Sequence, residues 1–120
     1  MHELSIASAV LDTALRHAGG RRVTTVAVRA GAMRQVVPRS LEFYFQIVAR
    51  DTPCERAELQ LTEVPTELRC DTCDTRWSPQ VPAFRCPACG GAEVAITAGQ
   101  ELEVDYIELE QEEAVCIAPG

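Results

Sequence analysis

The chain contains no lysine. All eleven of its basic side chains are arginine, set against eighteen Asp and Glu and only two histidines, for a net charge of −7 over 120 residues. A nucleic-acid-binding module carries a basic face that neutralises phosphates, so this balance argues against DNA or RNA as a partner. The charge is also uneven. Residues 1–69 hold nine Arg and eight acids, a net of +1, whereas residues 70–120 hold two Arg and ten acids, a net of −8. Long apolar runs are missing as well. None approaches the ~20 residues that span a bilayer, so no membrane span is expected. The opening Met1-His2-Glu3-Leu4-Ser5 has an acid where a secretory leader is basic, and a cytoplasmic location is the expectation. Apolar content of 47% is enough for a modest core. A segment as short as residues 66–97 can hardly fold on burial alone.

What the chain has instead is cysteine in an ordered pattern. Cys70-Asp71-Thr72-Cys73 and Cys86-Pro87-Ala88-Cys89 form two Cys-x-x-Cys pairs with twelve residues between them. Zinc takes four ligands in a tetrahedron, and each pair can turn two thiolates inward from one tight knuckle. Pro87 stiffens the second knuckle, and Gly90-Gly91 offers the positive φ that such turns use. Structural zinc contributes about 10–16 kcal/mol of apparent binding free energy, which a short segment can convert into folding. Where thiols stay reduced, four cysteines favour metal over disulfides. The competing readings are two disulfides, idle thiols, or a thioredoxin-like redox pair. That last reading needs a single Cys-x-x-Cys at a βαβ helix start, and neither pair has that frame. Cys54 and Cys116 are spare thiols with no assigned role. Trp77 and Phe84, lying between the knuckles, are expected to pack over the zinc, with Trp77 as a partner anchor if it is exposed.

The periodicity around this segment predicts an α+β fold. Leu4, Ala7, Leu11, Ala14 and Ala18 make one helical stripe over residues 3–18, with Val10 and Leu15 beside it, ended by Gly19-Gly20. Residues 23–30 read as a strand that Gly31 breaks. Pro38 opens a second helix with a Leu41, Phe45 and Val48 face, closing before Pro53. Residues 58–64 alternate as a strand, and residues 101–110 form a last one with Leu102, Val104 and Tyr106 opposite Glu103, Asp105 and Ile107. The acidic side of that last strand reads as a solvated face, or as a docking strip for a basic partner. The expected architecture is a three-stranded sheet backed by two helices, built from residues 1–65 and 98–111. An inserted zinc-ribbon lobe spans 66–97, and a disordered tail spans 112–120.

The N-terminus is a second candidate metal site. A bulky residue at position 2 generally protects Met1 from removal, so Met1-His2 is the expected mature end. The terminal amine, the His2 imidazole and deprotonated backbone amides can chelate one ion in a plane, a nitrogen-rich geometry that suits nickel(II) or copper(II) rather than zinc. Glu3 can add its backbone amide or its carboxylate, or simply serve as a favourable charge at a helix N-terminus. His17 reads as a helix-end residue rather than a ligand.

These features together resemble the hydrogenase maturation nickel chaperones of the HypA/HybF family. The resemblance is carried by Met1-His2-Glu3-Leu4-Ser5, the strand from Val23 to Arg29 with Gly31 after it, Ala57-Glu58-Leu59, the two Cys pairs with Cys86-Pro87-Ala88-Cys89-Gly90, and Gly99-Gln100-Glu101-Leu102 leading to Ile107-Glu108. It extends from residue 1 to about 110. It implies that His2 anchors nickel with backbone nitrogen near residues 1–4, Met1 and Glu3 among them, and that Cys70, Cys73, Cys86 and Cys89 hold structural zinc. It further implies a non-enzymatic role: loading Ni(II) into the large-subunit precursor of [NiFe]-hydrogenase with a maturation GTPase, with urease maturation proteins as further possible clients. Asp51 and Asp74 stand where the family more often has glycine. Two other classes compete: a zinc-ribbon interaction or nucleic-acid module in which His2 is incidental, and a thiol oxidoreductase, for which no nucleophile–base pair is evident.

Overall fold

The computed structural model describes residues 2–79, 84–110 and 114–117, with the side chains of His2 and residues 114–116 outside that description. Met1 and the remaining residues of the expected tail also lie outside it. The chain divides into two compact units: 1–29, 36–62 and 102–120 in one, 30–35 and 63–101 in the other. Each is treated separately.

In the first unit, α1 runs from His2 to Ala18. Its buried arc is Ile6, Ala7, Val10, Leu11, Ala14 and Ala18, a stripe at three- and four-residue steps. Leu4, expected on this stripe, falls at its edge on the first turn and is 37% exposed. Gly19 and Gly20 end the helix at φ +60 and +82, a left-handed exit that costs glycine little. His17 Nδ1 donates to the Thr13 carbonyl at 2.9 Å, so that ring nitrogen is occupied by the helix itself. Helix α2 covers Pro38–Val48 with Pro38 in its first turn, where the missing N–H costs nothing. Its inward side buries Leu41 and Phe45, each worth about 1.5–3 kcal/mol of apolar transfer.

The sheet of this unit is built from β1 (Val23–Gly31), β2 (Glu58–Val64), β6 (Leu102–Leu109) and β7 (Ala114–Cys116), in the order β2-β1-β6-β7. The three expected strands are therefore neighbours, and a fourth adds to them. Residues 114–116, expected to be disordered, pair antiparallel with β6, Ile107 opposite Val115. The short Ala114-Val115-Cys116 run is apolar enough to form an edge strand once β6 offers it a template. Read as part of a charged, proline-containing tail, it had looked unstructured. A second correction concerns β6. Ile107, expected on the acidic face, is fully buried, as are Val104 and Leu109, while Tyr106 is only half-buried. The inward phase thus slips by one residue between Val104 and Ile107, the kind of slip a bulge introduces.

The second unit holds a three-stranded sheet, β4 (Arg76–Trp77), β3 (Glu67–Cys70) and β5 (Val94–Ala98), with both pairings antiparallel. It is larger than the expected 66–97 because 30–35 and the segment around Gly99 join it. Gly31 donates its N–H to the Glu101 carbonyl at 2.6 Å, and Met33 donates to Gly99 at 2.9 Å. A Cβ on Gly31 would sit 2.0 Å from the Gly99 carbonyl oxygen, and Gly99 itself is at φ +110 against the Thr66 backbone. Two backbones cross where no side chain fits.

Gly31→Ala is expected to lower stability by about 2–4 kcal/mol, because backbone rather than a flexible side chain has to move. Gly19→Ala, which meets only open space, should cost about 1 kcal/mol from left-handed strain alone. Urea titrations of the two variants check this, and equal losses would contradict it.

Candidate functional site

The four paired cysteines come together. Cys70 ends β3, and the chain turns back at once into β4; Cys86 opens a second turn that leads towards β5. The two turns repeat one hydrogen-bond pattern. Cys70 donates its N–H to Thr75 and its carbonyl accepts from Asp74, at 2.8 and 2.9 Å; Cys86 donates to Gly91 and accepts from Gly90, at 2.9 and 2.8 Å. The residue four after each leading cysteine is left-handed, Asp74 at φ +63 and Gly90 at φ +72. Asp74 therefore takes the shape a glycine takes in the sister knuckle, as aspartate can with modest strain. Its carboxylate, 3.3 Å from the Arg69 guanidinium, ties the turn to β3. Asp51, the other departure from the family pattern, is likewise left-handed at φ +61.

All four Sγ atoms lie within 4.8 Å of one another. Cys70 and Cys89 are 3.6 Å apart, and Cys73 and Cys86 are 3.4 Å apart. A tetrahedron of about 2.3 Å zinc–sulfur bonds has edges of about 3.8 Å, so the cage fits the ion. Backbone N–H groups turn towards the sulfurs, Ala88 to Cys86 and Gly91 to Cys89, both at 3.4 Å. The acidities show what the cage needs. The N–H of Cys73 draws the Cys70 thiol down against the opposing effect of burial. Burial pushes Cys86 up, but the N–H groups of Cys89 and Ala88 outweigh it and bring the thiol to about 6. At Cys89 the Gly91 N–H pulls down, yet the three neighbouring sulfurs push it up to about 12. Some thiolates form readily and the last cannot, because like charges crowd one small volume. A divalent cation removes that conflict. Zinc held by Cys70, Cys73, Cys86 and Cys89 would supply a closed cross-link between the two knuckles, with no open position for catalysis.

Among the described residues no other group of three or more His, Cys, Asp or Glu side chains is close enough to hold an ion. Cys54 is fully buried, and burial raises its thiol to about 11, so it stays protonated and is neither ligand nor nucleophile. Phe84, expected over the zinc, is 42% exposed, and Trp77 is half-buried on β4 opposite Leu68. The N-terminal candidates are placed only in part. His2 is the first residue of α1, its side chain and Met1 lying outside the described residues. Glu3 has a structural task that sequence did not reveal. Its carboxylate accepts the N–H of Val37, the residue that caps α2, at 3.4 Å. No sequence signal pairs positions thirty-four apart.

Cys70→Ser is expected to leave three thiolates and to unfold the 63–101 unit, seen as lost amide dispersion there while the Leu41–Phe45 core persists. Because protons compete with the metal for sulfur, zinc should be retained at pH 7 and released progressively as the pH falls. A zinc-indicator titration reads this; release on raising the pH would contradict it.

Comparison with known proteins agrees with this geometry. Residues 1–109 match the family described as "Hydrogenase/urease nickel incorporation, metallochaperone, hypA". The chain is 42% identical over 116 residues to the hydrogenase maturation factor HypA of Roseiflexus sp. (strain RS-1), covering 93% of this chain and 94% of that one. It is 39% identical over 110 residues to that of Geotalea uraniireducens (strain Rf4), covering 92% and 100%. The fold is similar to the solution structure of the Ni metallochaperone HypA from Helicobacter pylori, with a TM-score of 0.68 at 24% identity over 91% of this chain and 97% of that one. Among the described residues no helix is long and apolar enough to cross a membrane. A family match over nearly the whole length, relatives near 40% identity and a four-sulfur cage of zinc dimensions lead to one assignment: the chain belongs to the HypA family of hydrogenase and urease nickel-incorporation metallochaperones, a family of metal carriers rather than enzymes.

Proposed function

We propose that the chain binds Ni(II) at its N-terminus, through the Met1 amine, the His2 imidazole and the backbone nitrogens of His2 and Glu3, and passes it to the large-subunit precursor of [NiFe]-hydrogenase in the cytoplasm. A maturation GTPase is the working partner, and urease maturation proteins are further clients. The observation that carries this reading is that α1 begins at His2. The first N–H groups of a helix have no intrahelical acceptor. The amides of His2 and Glu3 can therefore lose their protons to a metal without themselves giving up an intrahelical hydrogen bond.

The helix also sets a cost. Its N-terminus is the positive end of the dipole and disfavours a cation. Planar chelation through successive amides requires non-helical dihedrals, so loading nickel unwinds the first turn. The Glu3 bond to Val37 would be lost with it. A cargo site that competes with a helix turn is held less tightly than a rigid cage, and a partner can remove the ion one ligand at a time. The cysteine cage does the opposite and retains its zinc as a structural element. An interaction module that reads nucleic acid fits less well. Arg69 pairs with Asp71 and Asp74, and Arg76 with Glu67, so these ribbon arginines are neutralised rather than displayed as a basic face.

The untagged chain should carry one zinc and take up one loadable nickel. His2→Ala, or an added N-terminal residue, should abolish nickel uptake and spare the zinc. Affinity should increase with pH, because the amides release protons on binding, and helical ellipticity should fall by about one turn as nickel loads. A stoichiometric nickel site that survives His2→Ala would refute the assignment.

A further inference from the structure

Two of the most exposed large apolar side chains stand one turn apart on α2, Phe43 at 60% and Ile47 at 39%. They lie on the side of the helix away from the buried Leu41 and Phe45. Phe43 is held in place by the Tyr44 ring, centroid to centroid 5.3 Å in an edge-to-face arrangement. Arg39 lies one turn before Phe43 on the same side, and Arg50 follows Ile47 just past the helix end. Arg50 and Arg56 line one open cleft of about 490 Å3 that also reaches Gln46 and Glu58.

The charges here are unusual for this chain. Arg22, Arg29, Arg69 and Arg76 all have carboxylate partners. The exposed side chains of Arg39, Arg50 and Arg56 have no ion-pair or hydrogen-bond partner among the described residues. A protein with eighteen acids and eleven arginines thus leaves Arg39 and Arg50, among the described residues, without a carboxylate partner at the two ends of the helix that carries its most exposed aromatic. Exposed aromatics and arginines are the residues that anchor protein interfaces. A fixed ring loses little freedom on docking.

We infer that this face of α2 is a docking surface for another protein whose contact region is acidic around an apolar seat. Phe43 and Ile47 fill the seat, and Arg39 and Arg50 meet carboxylates at its rim. A second copy of this chain fits poorly. Two α2 helices packed antiparallel on Phe43 and Ile47 would bring Arg39 of each within about a turn of Arg50 of the other, and like charges across an interface repel. Seating α2 on the acidic β6 of another copy would be heterologous, giving a ring or an open filament rather than a twofold dimer. An anionic membrane is disfavoured by the net charge of −7 and by an apolar face of only two residues. The inference rests on the chaperone reading for the choice of binding partners to test.

The test uses the full-length untagged chain with the purified maturation GTPase and the purified large-subunit precursor as probes, in calorimetric titrations. Phe43→Ser and the double variant Arg39→Glu/Arg50→Glu should each weaken binding to at least one probe more than tenfold. The double variant should also flatten the salt dependence of that binding. Zinc content and nickel stoichiometry should match the unaltered chain in both variants, which excludes misfolding as the cause. The inference is overturned if both variants bind both probes normally, or if the unaltered chain binds neither. It is equally overturned if Phe43→Ser converts a dimer to a monomer, or if the unaltered chain binds phosphatidylserine vesicles through this face. Loss of nickel stoichiometry in the unaltered chain, with both probe affinities behaving as expected, would refute the carrier reading alone.

Discussion

Four sulfurs within 4.8 Å of one another cannot all be charged in the absence of a cation, and they cannot all be neutral without giving up the strongest ligands a small protein has for zinc. The whole 63–101 unit depends on that conflict. Its strands are two to five residues long, shorter than a sheet needs for independent stability. Among the described residues of the unit the buried apolar side chains are few: Ala30, Leu68, Cys70 and Cys86. Burial on that scale does not offset the entropy of ordering the segment. Metal ligation does, and the paired knuckles, with their matching hydrogen bonds and their two left-handed residues, are the backbone shape that delivers four thiolates to one point.

The other unit is stabilised in the ordinary way, by two helices over a sheet with a continuous apolar core from Ile6 to Leu109. On the carrier reading proposed above, the contrast lets one short chain handle two metals differently. A site that shares its free energy with folding cannot release its ion without unfolding. A site at the start of a helix whose first amides have no other bonds can be occupied and vacated while the core stays intact. On that reading, structural permanence and cargo transfer are separated by placing one set of ligands inside a fold and the other at the start of a helix.

Much of this was legible in the chain. The strand 23–30, the helix opened by Pro38 and the strand 58–64 follow from period and punctuation, and the Cys-x-x-Cys pairs predict their own convergence. Other features were not legible, for identifiable reasons. Ile107 sits on the wrong side of a simple alternation because the phase of β6 slips at a point that only its neighbours define. Ala114–Cys116 becomes a strand because β6 supplies an edge, not because of local propensity. Asp74 stands where the family more often has glycine, yet it adopts the same left-handed geometry as Gly90.

The amino-acid sequence by itself determined the four-cysteine cluster, the class of the fold and the family, because each depends on residue types at short fixed spacings. Tertiary structure alone decided that Glu3 accepts the N–H of Val37 at the start of α2, that Gly31 and Gly99 must be glycine, and that Phe43 faces outward. Those facts depend on which segments meet in space, and the distance between positions 3 and 37 or 31 and 99 carries no local energy term from which it could be read.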